Sequence, residues 1–125
     1  MHLAPKGKPE GHIGDVTPLA NGAILYTRDG VASPAEVWVA EKGKAPRQLS
    51  HANDAQLGAL VSLKTERFSF KGAGGATVWG QIHTPANATG KLPVLLFVHG
   101  GPQGSFNDAW SSRWNPRVFA AQGYA

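Results

Sequence analysis

The chain has 125 residues and no cysteine. That excludes disulfides, thiolate zinc sites and a cysteine nucleophile. Charge is sparse as well: Asp, Glu, Lys and Arg make up 16% of residues, with a net charge of +4. The 12 lysines and arginines are scattered from Lys6 to Arg117. They form no concentrated basic patch, so nucleic acid is not an expected partner. The apolar run Val94–Val98 is far too short to cross a bilayer, and no membrane partner is expected. The opening Met1–Lys6 lacks the apolar core of a secretion signal, so none is expected there. The 5 histidines include no pair at the three- or four-residue spacing of a helical metal site. No metal or cofactor is therefore expected. Finally, no serine stands in Gly-x-Ser-x-Gly, so the chain carries no glycine-flanked serine nucleophile.

What the chain does contain is glycine, proline and short apolar runs. The 16 glycines and 9 prolines imply many turns, and favour strands over long helices. Residues 1–20 read as loop. Ala23–Thr27 reads as a strand, Arg28-Asp29-Gly30 as a turn, and Ser33-Pro34 as a break in pairing. Glu36–Ala40 alternates as a second strand, and Arg47-Gln48-Leu49 as a short third. These lengths are those of a β-propeller blade, which needs neighbours to cover its faces. Gln56–Leu63 reads equally as a helical turn or a linker. Arg67–Phe70 and Ala76–His83 form a hairpin about Lys71–Gly75, with Thr77, Trp79, Gln81 and His83 on one face of the second strand and Val78, Gly80 and Ile82 on the other. Asn115-Pro116 is a helix start, with asparagine as cap and proline at the first helical position; Val118, Phe119 and Ala121 supply its apolar side, and Gly123 stops it. Tyr124-Ala125 then reads as the opening of another strand. An apolar strand left unpaired at its edge is a poor place for a natural terminus, so a segment cut from a longer chain is expected.

The most informative stretch is Leu92–Pro102, an apolar strand running into His99-Gly100-Gly101-Pro102. Its continuous apolar character predicts a strand covered on both faces. Paired glycines let the backbone approach a ligand and leave amides pointing outward. Such a loop after the third strand of an α/β-hydrolase domain offers an N–H to a developing oxyanion. The bland alternative, an ordinary strand-to-loop turn, is disfavoured by the strand before it and the capped helix after it.

The ordered set of Glu36–Ala40, Pro46–Ser50, Asn53, the hairpin, Leu92–Pro102 and Gly123-Tyr124-Ala125 resembles the junction between propeller and hydrolase domain in the prolyl oligopeptidase family of serine peptidases. The His-Gly-Gly-Pro form is most similar to its acylaminoacyl-peptidase and dipeptidyl-peptidase-like branch. The resemblance spans roughly residues 20–125. It implies an α/β fold class: a β-rich piece with the last blade of a propeller and linker over 1–63, and the start of an α/β-hydrolase peptidase domain over 64–125. It implies an enzyme that cleaves short peptides through an acyl-serine, with the rest of the parent polypeptide and a peptide substrate as partners. By position, Gly101 offers its N–H to the oxyanion and Gly100 shapes the loop. His99, Pro102 and Trp110 are candidates for substrate contact. The family's nucleophile, aspartate and histidine lie outside this sequence, so the chain alone is expected to be inactive. Two other readings remain: a piece of an esterase or lipase-type hydrolase, and a non-catalytic β-rich binding module with residues 24–49 and 66–98 in one closed sheet system.

Other residues have plainer roles. His99 reads as a loop brace rather than a base, Ser105 as a polar loop serine, and Asp108 as a turn or capping residue. Trp110 and Trp114, four apart, can stack on one helical face; packing of loop and helix against the sheet is the plainer reading, ahead of stacking on a ligand. Peptide preference, oligomeric state and compartment are not fixed by these residues.

Overall fold

The structure is a computed structural model that describes residues 11–101 and 103–125. It divides into two compact units. The first runs to Ala59 and takes in His99–Arg113; the second comprises Leu60–Val98 and Trp114–Ala125.

The first unit is built on a four-stranded antiparallel meander, β1 (His12–Pro18), β2 (Ile24–Gly30), β3 (Ser33–Ala40) and β4 (Arg47–Gln48), in the order β1-β2-β3-β4. β1 corrects the expectation of loop over residues 1–20; residues 1–10 lie outside the described ones. The strand was hidden by glycine and proline, but Asn21-Gly22 supplied a hairpin signal. Gly22 takes φ +80°, and the Asn21 side chain accepts from the Ala23 N–H at 3.0 Å. A bulge between Gly14 and Thr17 places Asp15 at φ +46°, a conformation aspartate tolerates better than most residues, and its carboxylate accepts from the Thr27 hydroxyl.

Ser33-Pro34 does not break the sheet as expected. Between the pairs Arg28↔Glu36 and Gly30↔Ser33 lie Asp29 on β2 and both Pro34 and Ala35 on β3. Proline has no N–H for a ladder, and the bulge is where a strand can hold one. Among the described residues, Tyr26 and Val39 are the large apolar side chains buried in this sheet. The Arg28 guanidinium stacks 4.9 Å over the Trp38 ring. After β4 comes α1 (Asp54–Gly58); of residues 56–63, for which a helical turn and a linker were both open, 56–58 are helical, 59–62 are not, and Leu63 is already in a strand.

The second unit contains the hairpin β5 (Leu63–Lys71) and β6 (Thr77–Pro85), joined by a short 3-10 turn at Ala73–Gly75. Its register pairs Phe68 with Gly80 and Phe70 with Val78, while Thr65, Arg67 and Ser69 face His83, Gln81 and Trp79. The two faces of β6 therefore divide as the alternation predicts. Gly80 has a reason: a Cβ there would stand 2.4 Å from the tip of the Phe68 ring, which lies across it.

Helix α2 (Pro116–Ala120) forms as the sequence signals predict. The Asn115 side chain accepts from the Arg117 N–H at 3.0 Å, Pro116 opens the helix, and Gly123 leaves it at φ +85°. The buried residue is Ala120; Val118 and Ala121 are exposed, contrary to expectation, and Phe119 is half-buried. Val94–Val98 also departs from its reading. Leu95 donates to the Ala125 carbonyl at 2.8 Å and Ala125 donates to Pro93 at 2.9 Å, the staggered pattern of a parallel pairing. Ala125 thus lies hydrogen-bonded beside the apolar segment, but neither Tyr124-Ala125 nor Val94–Val98 forms the strand expected of it. One side is covered, with Phe97 edge-on to Phe119 at 4.9 Å and to Trp114 at 6.0 Å. On the other side Val94, Leu96 and Val98 are 73–79% exposed, so among the described residues the segment is not a strand covered on both faces.

Candidate functional site

The site begins where the apolar segment ends. His99, Gly100 and Gly101 are exposed, and among the described residues nothing accepts a hydrogen bond from the Gly100 or Gly101 N–H. The two glycines differ in need. A Cβ at Gly101 would lie 2.7 Å from the Gln103 nitrogen, closer than real atoms approach, whereas a Cβ at Gly100 meets nothing within 4 Å. Gly101 is therefore a glycine because the chain doubles back on itself there. Pro102, the third member of the motif, lies outside the described residues.

His99 braces the loop as expected. Its Nδ1 lies 2.8 Å from the Gly100 carbonyl, and its ring stands edge-on to Phe106 at 6.3 Å. The sequence reading passed over Gly104, which packs tightly: a Cβ there would come within 2.9 Å of the Gly100 oxygen and 3.3 Å of His99 Nδ1. The repeated glycines at 100, 101 and 104 carried that signal. Ser105 is a polar loop serine, donating to Asn107 at 2.8 Å.

Trp110 is not on a helix, and neither is Trp114. The expected pairing on one helical face is therefore absent, because the helix starts only at Pro116. The Trp110 N–H donates to Asp29 at 2.6 Å, and Trp110 lines a cavity of about 490 Å³ with His12, Asp15 and Ala109. A second cavity of about 300 Å³ lies by Arg28, Gly30, Glu36 and Asp108. Gly100 and Gly101 line neither. Asp108 has a longer reach than the local turn expected of it: its Oδ1 accepts from the Val31 N–H at 3.1 Å.

The sequence reading also missed a buried carboxylate. Glu36 is only 4% exposed in the middle of β3. It accepts from the Ser50 hydroxyl, from the Ala52 N–H at 3.3 Å, and from the Asn53 N–H and side-chain amide at 3.0 and 2.8 Å. Ser50 in turn accepts from the Val37 N–H at 2.7 Å. The chain after β4 is thereby wrapped onto β3, and Asn53 spends its side chain on Glu36 instead of capping α1. A charged residue between Ala35 and Val37 in a strand, followed by Ser50-x-x-Asn53, was the available signal.

The Ser50 hydroxyl is the main cause that holds the Glu36 carboxyl down, to about 2 from an ordinary 4.5; burial opposes it, and the Asn53 and Ala52 donors add to it. A depressed carboxyl stabilises the fold fully above its unfolded value. That contribution is lost as the pH falls from 4.5 through about 2. Urea unfolding at pH 5 and at pH 2.5 should show wild type losing more stability on acidification than Glu36→Gln. Equal losses in the two proteins would contradict the assignment.

No family model matches the chain. It is 36% identical over 115 residues to a probable dipeptidyl-peptidase 5 of Aspergillus clavatus, covering 85% of this chain and 15% of that protein. It is 38% identical over 105 residues to a dipeptidyl-peptidase 5 of Arthroderma otae, covering 82% of this chain and 14% of that protein. The chain thus spans about 15% of the length of the curated relatives it matches. Among solved structures, it is similar in fold to the Pyrococcus horikoshii acylaminoacyl peptidase, with a TM-score of 0.76 and 24% identity over 94% of this chain and 18% of that one. By these likenesses, the chain is a partial-length member of the prolyl oligopeptidase family of peptidases.

Proposed function

We propose that residues 1–63 are the end of a β-propeller with its linker, that residues 64–125 open an α/β-hydrolase domain, and that the parent hydrolyses peptide bonds of short peptides through an acyl-serine. The observation that supports this reading is the Gly100 and Gly101 amide pair, unengaged among the described residues, at the end of the apolar segment that Ala125 joins in parallel. The four-stranded meander has the make-up of one propeller blade, which supports the peptidase over the esterase reading. The binding-module reading needs one closed sheet system, and the strands fall into two separate sheets.

In the proposed reaction, a serine from elsewhere in the polypeptide attacks the scissile carbonyl carbon. The carbonyl electron pair moves onto oxygen, and the serine proton passes to a histidine and then to the leaving amine. The Gly101 N–H donates to the new oxyanion, and water later releases the acyl group. His99 fixes the Gly100 carbonyl, so the amide that follows is held at a defined angle. Pro102 and Trp110 are proposed to border the substrate.

The test is turnover of aminoacyl and dipeptidyl chromogenic amides by the purified polypeptide that carries this segment. Hydrolysis abolished by a serine-directed inhibitor is expected. Cleavage of esters alone would favour the esterase reading, and no hydrolysis of either would overturn both.

A further inference from the structure

We propose that Asp29 and Asp108 are positioning residues that anchor the Gly100–Gly101 loop; their part in catalysis rests on the oxyanion reading above. All the groups concerned belong to the first unit. The two carboxylates exchange hydrogen bonds across the same junction. Asp108, on the loop, accepts from the Val31 N–H in the β2–β3 turn at 3.1 Å. Asp29, at the end of β2, accepts from the Trp110 N–H on the loop at 2.6 Å. Each strand of this clasp is a charged acceptor on a backbone N–H, the stronger class of hydrogen bond.

Two further features fix the clasp. The bulge at Pro34-Ala35 leaves Asp29 as the single residue opposite two, the kind of irregularity that re-aims a side chain. The other Asp29 oxygen lies 2.7 Å from His12 Nδ1 on β1, so the carboxylate is held from both sides. The turn is also closely packed: a Cβ at Gly30 would crowd Asp108 Oδ1 at 3.1 Å.

From the clasp the order runs back along the loop. Asn107 receives the Ser105 hydroxyl and the Ala109 N–H. Phe106 meets the His99 ring, His99 holds the Gly100 carbonyl, and Gly104 closes against both. The glycine amides thus lie in a loop braced by His99, Phe106 and Gly104 and tied farther along to the sheet by two carboxylates.

The experiment uses the full polypeptide that carries this segment, with Asp29→Ala, Asp108→Ala and Asp108→Asn. Amide hydrogen exchange is followed at Val31, Ala109 and Trp110, whose N–H groups are bonded at the clasp and on the loop, with the β5–β6 hairpin as internal reference. Each alanine variant should speed exchange at Ala109 and at the amide whose acceptor it removes, Val31 for Asp108 and Trp110 for Asp29, roughly tenfold, the worth of one charge-assisted hydrogen bond, and leave the hairpin unchanged. Asp108→Asn keeps a neutral acceptor and should restore most of the protection. In steady-state kinetics the alanine variants should lose kcat with KM retained. Loop exchange at the wild-type rate in both alanine variants overturns the proposal, whatever the kinetics. Faster exchange with kcat intact, both there and in Gly101→Ala, keeps the anchor and rejects the oxyanion reading. Should one alanine variant fail to fold, the other decides, because each removes a different bond.

Discussion

Gly101→Ala in the polypeptide that carries this segment is expected, on the proposed peptidase reading, to lower kcat by about 10²–10³-fold, the worth of one oxyanion donor, with KM close to wild type. The substitution keeps the N–H but cannot keep its place. The new methyl would start 2.7 Å from the Gln103 nitrogen, and the obstacle is backbone, which cannot swing aside like the end of a side chain. The loop must shift, and a displacement of about 1 Å at a reacting centre costs on the order of 10²-fold. Gly100→Ala is the control. Its methyl meets nothing within 4 Å and its backbone is not left-handed, so kcat should change little. Equal, small effects at both positions would mean that the Gly101 amide does not serve the transition state.

The second large effect is a complete loss. Residues 1–125 alone should turn over no chromogenic aminoacyl or dipeptidyl amide above the uncatalysed rate. An oxyanion donor contributes about 3 kcal/mol only once a nucleophile has attacked. No serine here stands in Gly-x-Ser-x-Gly. Ser33, Ser50 and Ser105 spend their hydroxyls on the Pro34 carbonyl, Glu36 and Asn107, none of them a general base placed for acyl transfer. Inhibitor-sensitive turnover by the pure chain would contradict this account.

Local signals in the sequence foretold local structure. Asn115-Pro116 and Gly123 bracket a helix because cap geometry and left-handed backbone are decided within a few residues. The β5–β6 alternation set its own faces for the same reason. What failed depended on distant partners. β1 forms because β2 offers it a ladder, and Pro34 stays in β3 because a bulge absorbs it. Val94–Val98 reads as a doubly covered strand from its side chains, yet coverage is a property of neighbours, and here only the Phe97 side has them.

The candidate site divides in the same way. The exposed turn at His99-Gly100-Gly101 was legible because paired glycines after an apolar run signal a turn; its part in catalysis is the proposal above. The Glu36 wrap and the Asp29–Asp108 clasp were not, because each joins residues far apart in the chain. Asp108 read as a turn residue since nothing near it in sequence pointed to Val31.

The claim on which the rest depends is that the Gly101 amide meets the oxyanion. The most direct measurement is a crystal structure of the polypeptide that carries this segment, with a covalent phosphonate on the proposed serine nucleophile. The account predicts the Gly101 nitrogen at about 2.7–3.1 Å from the phosphonyl oxygen, the range of a working oxyanion donor. A phosphonyl oxygen held by other donors, with the Gly101 N–H turned away from it, would contradict the account.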